Sequence, residues 1–172
     1  MDENEQQSAG EIIKEIEQRP CATKNEVQCR RILVPVDGSG EAFEAIKKGI
    51  ELAAATGAEL LLLMVVNYDE QVAGYERVSL SGYVPAELKI DAYRYLADIM
   101  HVIPPSVPAQ IEVEIGEPAE TILSVAEIKN VDLIVMGRRG MDRLHRLLMG
   151  SVSTYVVQHA HCPVLFCNHE HK

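Results

Sequence analysis

From residue 29 onward, short unbroken apolar runs alternate with segments whose apolar residues recur every three or four positions. Arg31-Ile32-Leu33-Val34-Pro35-Val36 is the first run, and it stops at Asp37-Gly38-Ser39-Gly40, which has turn chemistry. Helical spacing follows over Glu41 to Thr56, with Ala42, Ala45, Ile46, Gly49, Ile50 and Ala53 on one side. Ser39 suits the N-cap of that helix and Gly57 its C-terminal stop. Glu59 to Val66 is nearly all apolar. A strand without alternation is buried on both faces, which favours a parallel sheet covered by helices.

The second half repeats the rhythm. Asn67 to Val84 is polar, carries two glycines and has no clear period, so it reads as a long loop. Pro85 opens a helix to about Val102, with Leu88, Ala92, Tyr95, Leu96, Ile99 and Met100 inward. Ile111, Val113 and Ile115 alternate with Glu112 and Glu114, the pattern of a strand with one wet face near a sheet edge. A helix from Ala119 to Lys129, a buried strand Asp132 to Met136, a helix Ser151 to His159 and a strand Pro163 to Cys167 complete the series. Strands alternating with helices predict parallel pairing, right-handed crossovers and a three-layer α/β sandwich. In such sheets ligands bind beyond the carboxyl ends of strands, where strand order reverses. The first and fourth strands are the natural neighbours there, and both end in glycine-bearing turns, at Gly38 and Gly137.

Residues 1–28 break the rhythm. They are polar, contain Pro20, and offer only Ile12, Ile13 and Ile16 as an apolar face. They read as an extension, flexible or docked as a short helix, ahead of one domain at 29–168, with 169–172 a polar tail. The start, Met1-Asp2-Glu3-Asn4-Glu5, lacks the apolar core of a secretory signal, and the longest apolar run, Leu60 to Val66, is far short of the roughly 20 residues of a membrane span. Cytoplasmic placement is therefore expected, with the cysteines Cys21, Cys29, Cys162 and Cys167 as reduced thiols.

Charge narrows the partners. The 172 residues hold 16 Lys+Arg against 26 Asp+Glu, a net charge of −10. So acidic a surface repels nucleic acid and anionic lipid, and with two Phe, six Tyr and no Trp the chain is poor in base-stacking rings. Neither nucleic acid nor membrane is expected as a partner. Against this background four of the nine arginines, Arg138, Arg139, Arg143 and Arg146, fall in one short stretch. A cationic loop beside a helix N-terminus suits a polyphosphate, although it also reads as a solvated loop or as Arg–Glu pairing.

That stretch holds the strongest motif. Gly137 and Gly140, then nine residues, then Gly150-Ser151, spell G-x2-G-x9-G-S. It begins where a buried strand ends and closes where a helix begins. Glycines let backbone N–H groups approach a ligand, and Gly150, Ser151 and Val152 offer open N–H groups at a helix N-terminus, with Ser151 and Ser153 adding hydroxyls. The same spacing also reads as two tight turns and an N-cap. Asp37, at the end of the first strand, is placed either to accept hydrogen bonds from a ribose or to form an Asx-turn over Ser39 and Gly40. A G-x-x-x-x-G-K-[ST] loop is missing, and Gly38-Ser39-Gly40 lacks the third glycine of G-x-G-x-x-G because position 43 is Phe43, so P-loop and standard dinucleotide-binding readings are disfavoured.

Arg31 to Ser39, Leu62 to Val66, Met136-Gly137-Arg138-Arg139-Gly140, Gly150-Ser151-Val152-Ser153 and His161-Cys162-Pro163-Val164-Leu165 together resemble the universal stress protein family, over about residues 29–167. The resemblance implies a Rossmann-like five-stranded parallel sheet of order 3-2-1-4-5. The glycine spacing resembles that of the family's ATP-binding branch. It implies Asp37 at the ribose, Pro35 and Val36 along the same wall, Val65 at the adenine, and Gly137, Gly140, Gly150, Ser151, Val152 and Ser153 around the phosphates, with Arg139 facing them. It further implies ATP as ligand, with Mg2+ or Mn2+, and a homodimer through Val164-Leu165-Phe166. The expected function is a nucleotide-dependent stress-response or signalling protein with at most slow ATP hydrolysis and a protein partner the sequence does not name. Two alternatives stand beside it: an adenine-nucleotide α-hydrolase, marked by pyrophosphate release, and a dimeric interaction module that binds no nucleotide. No residue is assigned a catalytic or metal-ligating role.

Overall fold

The computed structural model describes residues 29–67, 86–139 and 149–168. Its elements are β1 (Arg31–Pro35), α1 (Gly40–Thr56), β2 (Glu59–Val66), α2 (Ala86–Met100), β3 (Ala109–Ile115), α3 (Pro118–Ile128), β4 (Leu133–Gly137), α4 (Ser151–His159) and β5 (Val164–Cys167). The five strands form one sheet of order β3-β2-β1-β4-β5, parallel throughout. The expected fold class and strand order are the observed ones. The extension 1–28, the long loop 68–85, Gly140 with the rest of the glycine loop to residue 148, and the tail 169–172 lie outside the described residues.

Unalternating runs become central strands because both faces are covered. Ile32, Leu33 and Val34 of β1 and Leu60, Leu62 and Leu63 of β2 are fully buried. Ile32, Val34, Val36, Leu60 and Leu62 pack with Ala45, Ile46 and Ala53 of α1 and Ala92 and Leu96 of α2. Leu33, Leu61, Leu63, Ile134 and Met136 pack on the other face with Ala119, Ile122 and Val125 of α3 and Val156 of α4. That is the three-layer sandwich. β3 is an edge strand, as its alternation requires, and Glu112 there pairs with Lys129 at 3.1 Å.

Local chemistry sets the element ends. The Ser39 hydroxyl accepts the Ala42 N–H at 3.1 Å, capping α1, and Gly57 closes it in the left-handed region at φ 74°. Glu117 caps α3 by accepting the Glu120 N–H at 2.9 Å, so the helix starts at Pro118, one residue earlier than the pattern predicts. One orientation differs. Tyr95, expected inward, is 43% exposed. α2 turns Ala92 and Leu96 onto the sheet, and Tyr95 lies one residue off that line, which puts its ring on the outer side with Tyr93.

Candidate functional site

β1 and β4 are adjacent, so the chain leaves the sheet at both of their carboxyl ends side by side. This is the crevice where helices on opposite faces diverge. At the β1 end Pro35 is half-buried, Val36 is buried and bonded through its N–H to Leu63 O at 2.8 Å, and Asp37 is exposed. One Asp37 oxygen, Oδ1, accepts the Ser39 N–H at 2.9 Å. The Asx-turn is therefore formed, and Oδ2 has no hydrogen bond among the described residues. Val65 is half-buried near the end of β2, the neighbour of β1 on the other side.

The β4 end is built around close backbone approach. Gly137 is buried, and a Cβ on it would lie 2.9 Å from Glu41 Cβ and 3.0 Å from the Glu41 carbonyl carbon. The glycine is needed for space: it lets the first turn of α1 settle over the strand end. From there the Glu41 carboxylate accepts the Arg139 N–H at 2.6 Å and the Arg139 Nε–H at 3.2 Å. Sequence reasoning missed Glu41. An acid in the first turn of a helix is commonplace, and its partner stands 98 positions away.

The far end of the glycine loop returns to the same place. The Gly150 N–H donates to Arg138 O at 3.0 Å, and the Arg138 N–H donates to Cys167 O at 3.1 Å. Ser153 is buried, and its hydroxyl donates to Gly137 O at 3.1 Å, tying α4 to the end of β4. Gly150 is the N-cap of α4 and supplies no side-chain cap, while the first bond of the helix runs from Thr154 N–H to Gly150 O. The N–H groups of Ser151 and Val152 thus belong to a helix end with no side-chain cap among the described residues, with Ser151 exposed and Val152 half-buried. Arg138 Nε is buried and has no hydrogen-bond partner among the described residues.

The structure therefore places Pro35, Val36 and Asp37 at the end of β1 and Gly137 and Arg139 at the adjacent end of β4, ties Gly150 and Ser153 at the start of α4 to that second end, with Ser151 and Val152 between them, and puts Val65 on the strand beside β1. Chemically these ends offer an exposed carboxylate at β1 and, at β4, a helix N-terminus beside the Arg139 guanidinium held by Glu41. A groove of about 400 Å3 lies elsewhere, between β3 and α3, lined by Glu112, Glu114, Glu120 and Lys129 among others. Three carboxylates make it a poor place for a polyanion.

Residues 28–168 match the model of the universal stress protein family, and the chain belongs to that family. It is 35% identical over 137 residues to the universal stress protein MJ0531 of Methanocaldococcus jannaschii, covering 79% of this chain and 80% of that one. The structure of the universal stress protein UspA from Lactobacillus plantarum superposes with a TM-score of 0.65 at 27% identity, over 83% of this chain and 99% of that one. The structure of the universal stress protein from Archaeoglobus fulgidus in complex with dAMP shares the fold, with a TM-score of 0.60 at 21% identity over 82% of this chain and 99% of its own.

Proposed function

We propose that this chain is a cytoplasmic, homodimeric, ATP-binding universal stress protein whose work is nucleotide-dependent signalling, with at most slow hydrolysis. The observation that carries the reading is the N-terminus of α4, which has no side-chain cap among the described residues and is bonded through Gly150 to Arg138 and through Ser153 to Gly137. N–H groups at a helix start favour phosphate, and Arg138, whose Nε has no hydrogen-bond partner among the described residues, is joined through its carbonyl to the Gly150 N–H at that start. Asp37 at the end of β1 is the acceptor for ribose hydroxyls, and Pro35 with the strand-end backbone at Val36 and Val65 flanks the adenosine. The same fold holds dAMP in the Archaeoglobus fulgidus protein. The nucleotide would carry Mg2+ or Mn2+ on its phosphates, the metal neutralising charge there. The dimer would form through Val164-Leu165-Phe166.

The test is direct. The purified chain is denatured and any released nucleotide identified by chromatography and mass spectrometry, beside the Gly140→Val and Ser151→Ala variants. ATP from the unsubstituted chain, lost in Gly140→Val and reduced in Ser151→Ala, is the expected result. An empty protein that millimolar ATP with Mg2+ does not stabilise against heat overturns the reading in favour of the interaction module.

A further inference from the structure

We infer that Glu41 sets how strongly the site discriminates among nucleotides by phosphate number, acting as a resident anion that holds Arg139. The inference rests on the nucleotide reading above and concerns the same crevice. A carboxylate that accepts one backbone N–H and one guanidinium N–H at the start of a glycine loop makes the contacts a phosphate oxygen makes there. Glu41 does so with the Arg139 N–H at 2.6 Å and its Nε at 3.2 Å. The pair is sheltered, with side-chain exposures of 13% for Glu41 and 28% for Arg139, so water screens it less than a surface pair. Gly137 makes the placement feasible, since any Cβ there would collide with Glu41.

The electrostatic consequence follows from counting charge. With Glu41 in place, Arg139 contributes a neutral pair to the crevice. A phosphate that recruits Arg139 through its terminal nitrogens must share the cation with Glu41, whose carboxylate stays nearby. Each added phosphate charge meets that carboxylate's repulsion, whereas the adenosine part of a ligand does not. Glu41 thereby compresses the gap between ATP and AMP and keeps the site releasable. Replacing the carboxylate by an amide of the same shape leaves Arg139 as a free cation and removes the repulsion.

Binding of ATP, AMP and adenosine is measured by calorimetry for the unsubstituted chain, Glu41→Gln, Arg139→Gln and the double variant, with circular dichroism confirming the fold of each. In Glu41→Gln, ATP affinity rises about tenfold, AMP affinity rises less, and adenosine shifts by under about twofold. In the double variant the gain disappears, and ATP binds more tightly than to Arg139→Gln, where Glu41 is left without its cation. This last comparison stands even if Glu41→Gln fails to fold. Unchanged or weakened ATP binding in Glu41→Gln, or an equal shift for all three ligands, overturns the inference and leaves Glu41 a purely structural tie. Failure of the unsubstituted chain to bind any of the three overturns the nucleotide reading instead.

Discussion

Cys29, Cys162 and Cys167 are free thiols, half-buried at the two ends of the sheet. Burial pushes each above its ordinary value of 9.0, and Asp132 adds to the effect at Cys29 and Cys162. At Cys167 the nearby Lys48 pulls the other way, yet burial prevails. A thiol held above its ordinary value stays protonated in the folded chain at a pH where the unfolded chain has released that proton. The folded state then binds more protons than the unfolded one, so stability falls as pH rises through and beyond the ordinary thiol value. Urea midpoints compared at about pH 7.5 and about pH 9.5 should show this loss, and Cys29→Ser/Cys162→Ser should lose less between the same two conditions. An identical drop in both proteins would show that Cys29 and Cys162 contribute nothing. The same protonation makes these cysteines slow nucleophiles, in keeping with reduced structural thiols.

Among the elements, α1 shows how a glycine within a helix and a glycine that caps it serve different ends. Gly57 closes the helix at φ 74°, where a side chain strains the backbone. Gly49 sits mid-helix over the sheet, where an added Cβ would lie 2.8 Å from Val34 Cγ2 and 3.0 Å from Leu60 Cδ1. Alanine gains about 1 kcal/mol of helix propensity, but overpacking costs about 1–3 kcal/mol. Val34 and Leu60 are fully buried and have little room to yield, so the cost wins. Gly49→Ala should lower the denaturant midpoint at unchanged m, by a net of about 1 kcal/mol. A more stable variant would mean that the helix simply lifts from the sheet without penalty.

These elements also show which information lies in local sequence. The runs Ile32–Val34 and Leu60–Leu63 announce strands buried on both faces because they lack polar interruptions, and Ser39 and Gly57 announce caps because their chemistry acts within a few residues. Tyr95 is misread because periodicity places a residue only to within a fraction of a turn, and a large ring one position off the buried line settles outward. Ile103 and Val107, core residues each followed directly by a proline, have no period to betray them. At the site, the positions of Asp37, Gly137 and Gly150 are legible from strand ends and glycine spacing. The contacts that organise them are not. Glu41 with Arg139 and Ser153 with Gly137 depend on which helix lands on which strand end, a property of the assembled sheet.

For the whole molecule, the sheet order leaves β5 at one edge among the described strands, and its second residue, Leu165, is 38% exposed. Tyr155 and Val157 of α4 add apolar surface, at 39% and 46% exposure. An apolar edge strand with open backbone groups invites pairing with another chain unless something covers it. The proposed cover is a second copy. A twofold axis makes such an interface isologous, so the same patch serves both partners and any residue near the axis is met twice. A single charge at Leu165 therefore enters the interface as two like charges, with both desolvated on association. Because Leu165 is already partly exposed within the protomer, Leu165→Lys leaves the protomer's own core, Ile134, Met136 and Val156, untouched. Sedimentation over a concentration series should show a dimer for the unsubstituted chain and a monomer for Leu165→Lys, with the circular dichroism spectrum unchanged. A monomer at every concentration of the unsubstituted chain would sink the dimer. A variant that stays dimeric would move the interface to another surface.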